Sequence, residues 1–309
     1  MENGPFGRRA AIRRNLEIRA ALFRAVRIFF GEQGFLEVET PCRAPAPLPE
    51  AHVEAVPADG WFLQTSPESS MKRLLAAGYQ RIYTIHRAFR KAERGSRHLP
   101  EFSLLEWYRS QSDYTRLMDD CEALVASAAR ALGRGPSIPY LGTEISLTPP
   151  WPRLTVDEAF RRFAGKSAAQ AISTGSFDSD MAFSVEPALP RDRPVFLYRY
   201  PAEKASLARL SPDDPTVAER FELYMGGLEI ANAFSELCDP ALQAGRFALE
   251  EAARRAAGMP PYPPPARFLE DLALMPPSAG IALGLDRLAM LFADTAAIDD
   301  VTAFVPEEL

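Results

Sequence analysis

The sequence is poor in the residues that usually mark a metal or redox centre. Its three cysteines, Cys42, Cys121 and Cys238, lie far apart in no ligand spacing, and an odd count gives no disulfide framework. The three histidines, His52, His86 and His98, form no HxxxH-type pair, so a structural zinc site is not expected and any metal should sit on carboxylates. No apolar run approaches the roughly eighteen residues of a membrane span. The N-terminal stretch MENGPFGRRAAIRRN carries charge where a secretory leader has its apolar segment, which predicts a cytoplasmic protein with no membrane partner. A GxxxxGK[ST] phosphate loop, a GxSxG elbow and a kinase HRD/DFG set are all missing. Nor is there a lysine block or basic tail to serve as a broad footprint for nucleic acid, although the net charge of -6 leaves room for a local basic patch.

What is present is an ordinary core. Of 309 residues, 47% are hydrophobic and 25% charged, enough for one or two domains that fold unaided. Leu16, Ala20, Phe23, Val26 and Phe30 recur at three- and four-residue steps, predicting one helix over residues 9–33 closed by GEQG. FLEVET predicts a strand that ends at Pro41, with further strands over 52–56 and 61–64. In TSPESSMKRLLAAG, Ser66 is the expected N-cap, Pro67 the first helical residue and Gly78 the stop. Helices are expected over 113–133 and 240–257. VFLYRYP and RFELYMGGLEIANAFSEL read as strands, and AGIALGLDRLAMLF as a strand that turns through Gly284 into a helix.

RIYTIHRAFR and EFSLLEWYRS read as a hairpin joined by a nine- or ten-residue loop that contains Gly95 and Pro100. Side chains alternate along a strand, so His86, Ala88 and Arg90 share one face, as do Glu106 and Tyr108 on the partner strand. Parity alone leaves open whether those faces coincide, and a charged loop between strands is ordinarily only a solvated tip. Gly284 with the following Leu-Asp-Arg sets a helix N-terminus beside Arg287, an anion site in form but also a common structural junction. Glu229 and Glu236 lie in the mostly apolar GGLEIANAFSEL, where carboxylates must be hydrogen-bonded, paired with arginine or bound to a cation. Magnesium takes one or two carboxylates together with substrate phosphates, so the pair also suits a nucleotide. Separated arginines and carboxylates without a protein nucleophile fit nucleotidyl transfer onto an acid, where positioning and charge neutralisation do the chemistry.

Taken in order, these segments resemble a family. FFGEQGFLEVETP is similar to motif 1 of the class II aminoacyl-tRNA synthetases, the hairpin from Phe89-Arg90 to PEFSLLEWY to motif 2, and GIALGLDRL to motif 3. TSPE and GLEIANAFSE match the lysyl-type subgroup, and the five segments span nearly the whole chain. Within that subgroup the chain resembles the shortened lysyl-tRNA synthetase paralogues that ligate (R)-β-lysine to elongation factor P. The motif 1 helix begins close to Met1, which leaves no room for an N-terminal anticodon-binding domain of roughly 100 residues, and Ala282 stands where lysyl-tRNA synthetases have glycine.

The resemblance implies an α+β fold, an antiparallel sheet flanked by helices, as one catalytic domain over residues 1–309 with a helical insertion at 154–190. It implies a homodimer, ATP and Mg2+, activation of (R)-β-lysine or lysine as an adenylate, and transfer to a lysine ε-amine of elongation factor P, with no tRNA partner. Arg90 would hold the α-phosphate, Arg287 the triphosphate tail, and Glu229 and Glu236 magnesium or substrate, while Gly284 would allow ATP to approach closely. Lys91, Ala92, His98, Leu99 and Ile230 fall at further ATP-contacting positions. Ser66, Pro67, Glu68, Tyr108 and Glu236 match the amino-acid-contacting positions, joined by Glu106 and Ala282. The loop departs from the family: Asn-Glu after the arginine and Asn after the later histidine are replaced by Lys91-Ala92 and Leu99, leaving their contacts to Glu93 or to backbone groups. Two other readings stay open, a minimal tRNA aminoacylase and a non-catalytic dimeric binding protein that kept the fold.

Overall fold

Alternating apolar residues build an eight-stranded sheet from β1 (Leu36–Glu37), β2 (Arg81–Phe89), β3 (Glu101–Ser110), β4 (Arg153–Thr155), β5 (Val195–Pro201), β6 (Val217–Met225), β7 (Leu228–Ser235) and β8 (Ser278–Gly284). Their spatial order is β1-β2-β3-β8-β7-β6-β5-β4. The six central strands pair antiparallel, whereas the short edge strands β1 and β4 run parallel to β2 and β5, so the expected antiparallel sheet is mixed at its margins. The structure is a computed structural model describing residues 5–309; residues 1–4, the start of the charged N-terminal stretch, lie outside the described residues.

One face of the sheet is covered by helices Arg13–Glu32, Tyr114–Ala131 and Leu285–Ala293. Leu22, Val26 and Phe30 of the first pack against Leu105 and Trp107 of β3 and Ile281 and Leu283 of β8 in the largest core cluster. Full burial of each such side chain contributes about 1.5–3 kcal/mol. The Arg13–Glu32 helix ends as GEQG predicts: Gly34 takes a left-handed φ of 71°, and the Phe35 N–H closes onto the Phe30 carbonyl at 3.0 Å. The expected single helix over 9–33 is two, Pro5–Ala11 and Arg13–Glu32, separated at Ile12.

The other face is covered at one end by helices Glu68–Ala76, Pro240–Ala256 and Ala266–Leu272, which pack on Ile82, Tyr108 and Phe234. The rest of that face is open and forms the site. The insertion is a run of short helical turns from Val156 to Ala188 with its own core around Phe160 and Phe177. FLEVET supplies only the two residues of β1, and the strand expected over 52–56 is Pro57–Ala58 instead. There, the Val53 carbonyl accepts from Arg254 and the Ala55 N–H donates to the Tyr262 hydroxyl, while the Glu54 and Val56 carbonyls accept single bonds from the Lys91 and Leu63 N–H groups, so side chains and isolated backbone bonds hold the segment. Among the described residues no helix is long and apolar enough to cross a membrane.

Candidate active site

Register settles the question that parity left open. Thr84 pairs with Glu106 and Ile82 with Tyr108, so the even-numbered residues of β2 and β3 share the open face. On β8, Ala282 lies opposite Glu106 and Gly280 opposite Tyr108, and on β7 Asn232 lies opposite Ala282. Glu229 and Glu236 are seven residues apart and would fall on opposite faces of a regular strand. A bulge prevents this: Leu223 pairs with Ala231 but Tyr224 with Glu229, so Ile230 is an extra residue. Ile230 packs in the helix-covered core with Ala231 and also borders the cavity, Glu229 lines that cavity, and Glu236 lies on the same open face against Gly280 and Tyr108.

The hairpin connection runs from 90 to 100, slightly longer than expected, and is not a free solvated tip. The Arg90 N–H donates to the Pro100 carbonyl at 2.9 Å, Arg94 pairs with Asp299 at 2.8 Å and Glu307 at 2.9 Å, and the Ile298 N–H donates to the Ser96 carbonyl. So anchored, the loop walls a cavity of about 240 Å³ whose lining includes Arg90, Glu93, His98, Leu99, Glu229, Ile230, Ala282, Gly284 and Arg287. Arg90 stacks 5.1 Å from the Phe102 ring centroid and leaves its buried Nε without a partner. Arg287 donates to the Glu229 carbonyl at 2.7 Å and to His98 Nε2 at 2.7 Å, which requires His98 to be neutral with its proton on Nδ1. Burial and the Arg287 charge hold the His98 pKa below its usual value. Lys91 points to Glu54 at 2.7 Å and does not line the cavity; Ala92 is a turn residue at φ 61°. Glu93 does line it and sits 3.9 Å from Arg90.

The amino-acid positions converge separately. The Ser66 hydroxyl donates to Glu106 Oε1 at 2.6 Å, and the Tyr108 hydroxyl to Glu106 Oε2 at 2.8 Å. Ser66 was expected to cap the next helix with Pro67 as its first residue; the helix instead starts at Glu68 with Pro67 at the cap position, and Ser66 Oγ still accepts the Glu68 N–H at 3.0 Å. Glu68 and Glu236 both pair with Lys72, the latter at 2.6 Å. Burial, with the Glu68 charge beside it, pushes the Glu106 carboxyl up to about 8, and burial likewise raises Glu236. Burial disfavours the Lys72 ammonium, but Glu236 and Glu68 outweigh this and raise its pKa.

Lys72 is the residue that sequence reasoning missed, hidden as one more polar position in an amphipathic helix. Its placement separates the two carboxylates read as a metal pair: Glu236 faces an ammonium, Glu229 an arginine. Gly280 was missed as well; a Cβ there would overlap the Tyr108 ring and the Glu236 carboxylate. At Gly284 a Cβ would meet nothing closer than 3.7 Å. Among the described residues no group of three or more His, Cys, Asp or Glu is placed to hold a metal.

Known proteins resemble the chain over nearly its whole length. The elongation factor P–(R)-β-lysine ligase of Enterobacter sp. (strain 638) is 39% identical over 313 positions, 94% of both chains. Proteins of the same name from Edwardsiella ictaluri and Hamiltonella defensa are 39% and 37% identical, covering 94% and 95% of each chain. Residues 6–308 match the pattern of the tRNA synthetases class II (D, K and N), and the chain belongs to that family.

Proposed function

We propose that this protein activates a lysine-like amino acid, (R)-β-lysine in the first instance, with ATP and transfers it to the ε-amine of a lysine on elongation factor P. The observation that carries the reading is a charge count. Glu68, Glu106 and Glu236 have one ammonium among them, that of Lys72, which pairs with Glu68 and Glu236, so the space can take up to two further positive charges as its raised carboxyls ionise around them. A substrate with two ammonium groups supplies both, and its carboxylate, facing away from the glutamates, is directed past Ala282 toward the phosphate cavity.

In the first step the amino-acid carboxylate attacks the α-phosphorus of ATP in line and pyrophosphate leaves. Arg90, with its unpartnered Nε, holds the α-phosphate; Arg287 holds the tail. Glu229, in the phosphate cavity beside Arg287, would hold magnesium together with substrate phosphates, and the ion would neutralise developing charge there, while Glu236 lies against Lys72. Leu99 and Ile230 shape the nucleotide pocket, and Glu93 takes the place of the missing loop glutamate. Ser66 and Tyr108 orient Glu106, while Pro67 fixes the chain entering Glu68.

We further read the sheet, its helices and the insertion as one catalytic unit that works as a homodimer. Ile28 and Leu36, 58% and 51% exposed on the motif 1 helix and the adjoining edge strand, suit such a contact. Sedimentation of a monomer at working concentration would remove the dimer.

The test of the activity is exchange of labelled pyrophosphate into ATP with (R)-β-lysine or α-lysine, followed by transfer to elongation factor P. Exchange that prefers β-lysine with label appearing on the protein supports the reading. Charging of tRNA points to the aminoacylase, and ATP binding without any exchange to a non-catalytic fold.

A further inference from the structure

Glu50 lies where three cavities meet. It lines the phosphate cavity, a narrow crevice leading to Ser66 and Glu68, and an outer cavity of about 230 Å³ beside the Pro240–Ala256 helix. The peptide that follows it is fixed at both of its polar atoms: the buried Arg254 donates to the Glu50 carbonyl at 3.1 Å, and the Ala51 N–H donates to Glu250 at 2.7 Å. The Glu50 carboxylate has no hydrogen bond or ion pair among the described residues. Every other carboxylate around the two inner cavities is engaged: Glu68 and Glu236 by Lys72, Glu106 by Ser66 and Tyr108, Glu229 by Arg287, Glu93 by Arg90 and Asp286 by Arg19 and the Ser103 N–H.

The outer cavity carries its own sign of an absent ligand. Gln243 lines it, is 1% exposed, and leaves both Oε1 and Nε2 of its side-chain amide without a partner. Glu50, Glu203 and Glu250 outnumber Arg246 on its walls, and Arg246 is committed to the Ser206 and Ala208 carbonyls at 2.6 Å. A lined, acidic passage of this kind suits an alkylammonium chain.

We propose that the acceptor lysine reaches the adenylate through this outer cavity and that the Glu50 carboxylate takes the proton its ε-ammonium must lose. This deepens the activity proposed above and rests on it. The ammonium gives one proton to Glu50. The neutral nitrogen then attacks the adenylate carbonyl carbon; the C–N bond forms, the C–O bond to the phosphate breaks, and the electron pair leaves with AMP. The second nitrogen proton passes to the AMP phosphate, and Glu50 returns the first to solvent through the outer cavity. Burial raises the Glu50 pKa to about 6, with the Arg90 charge opposing it and Glu68, Glu250 and Glu93 adding to it, which brings it closer to that of the amine it serves.

The experiment compares wild type with Glu50→Gln and Ala202→Trp, the latter placing bulk in the outer cavity. Three readouts are taken on each: amino-acid-dependent pyrophosphate exchange, capture of the adenylate by hydroxylamine, and transfer to elongation factor P. Hydroxylamine is small and largely unprotonated near neutral pH, so it needs neither the passage nor the base. In Glu50→Gln, transfer should fall about 10²-fold or more relative to hydroxylamine capture, and the bend near pH 6 in wild-type single-turnover transfer should disappear. In Ala202→Trp, transfer should fall relative to capture with the bend retained. Proportional losses in all three readouts, or transfer that keeps pace with capture in Glu50→Gln, overturn the assignment. No exchange in wild type with any amino acid overturns the adenylation reading beneath it, which is a separate outcome.

Discussion

Lys72 Nζ lies 2.6 Å from Glu236 Oε2, and both side chains are closed to solvent. A buried pair of this kind gains little over an apolar pair, but losing one member strands the other as an unpaired charge. Lys72→Met should therefore cost about 3–5 kcal/mol in equilibrium urea unfolding near neutral pH. Lys72→Met with Glu236→Gln should recover a large part of that loss. A single variant within about 1 kcal/mol of wild type would show that the pair is not a buried charge pair at all.

The raised Glu106 carboxyl makes a pH prediction with a definite sign. Its folded pKa, about 8, exceeds its usual 4.5, so between those values the folded state binds more protons than the unfolded chain. This group's contribution to stability is present at pH 4.5 and declines as pH rises toward 8. Substrate ammonium binding favours the ionised carboxylate, so affinity should rise over the same window with release of a proton. Calorimetry in two buffers of different ionisation heat measures that release; pH-independent binding without it would contradict the charge count.

Arg90→Ala should abolish most adenylate formation, about 10²–10³-fold in pyrophosphate exchange, because the α-phosphate loses its clamp. Arg287→Ala should fall chiefly in apparent affinity for ATP, since the role proposed for it is to hold the tail and it also bonds Glu229 and His98. Exchange at the wild-type rate in Arg90→Ala would remove that residue from the mechanism.

The two glycines of β8 should fail differently. Gly280→Ala drives a methyl into Tyr108 and Glu236 and should lower the melting temperature and weaken amino-acid binding together. Gly284→Ala meets no such neighbour, so thermal unfolding should change little while ATP binding weakens. Equal ATP affinity in Gly284→Ala and wild type would show that nucleotide does not approach this backbone.

Much of this was legible because it is periodic. The Arg81–Phe89 and Glu101–Ser110 strands, the Gly34 stop and the strand-to-helix turn at Gly284 follow from apolar spacing and glycine position. The elements held by tertiary contacts were not legible. The segment 52–56 looks strand-like but draws its backbone partners from the Arg254 and Tyr262 side chains and from isolated bonds to Leu63 and Lys91, and the break at Ile12 has no proline or glycine to announce it. In the site, Arg90, Glu106, Tyr108 and Arg287 were singled out by residue type, but the common face of Glu106 and Tyr108 with β2 needed the register, and the meeting of Arg90 and Arg287 in one cavity needed the fold. Lys72 and Glu50 gave no local signal, since a lysine in an amphipathic helix and a glutamate in a proline-rich loop are usually solvated.

The extra residue at Ile230 ties chain length to chemistry. Substitutions along β7 can be judged one side chain at a time, but a one-residue deletion between Glu229 and Glu236 cannot. Removal of the extra residue itself would restore the regular pleat with Glu229 and Glu236 six residues apart, both still on the cavity side, whereas removal of another residue with the bulge kept would turn Glu229 toward the apolar core and leave Arg287 without its carboxylate. What this stretch must keep is therefore the parity of its count, and a change of length should be accepted only where the bulge forms or vanishes with it.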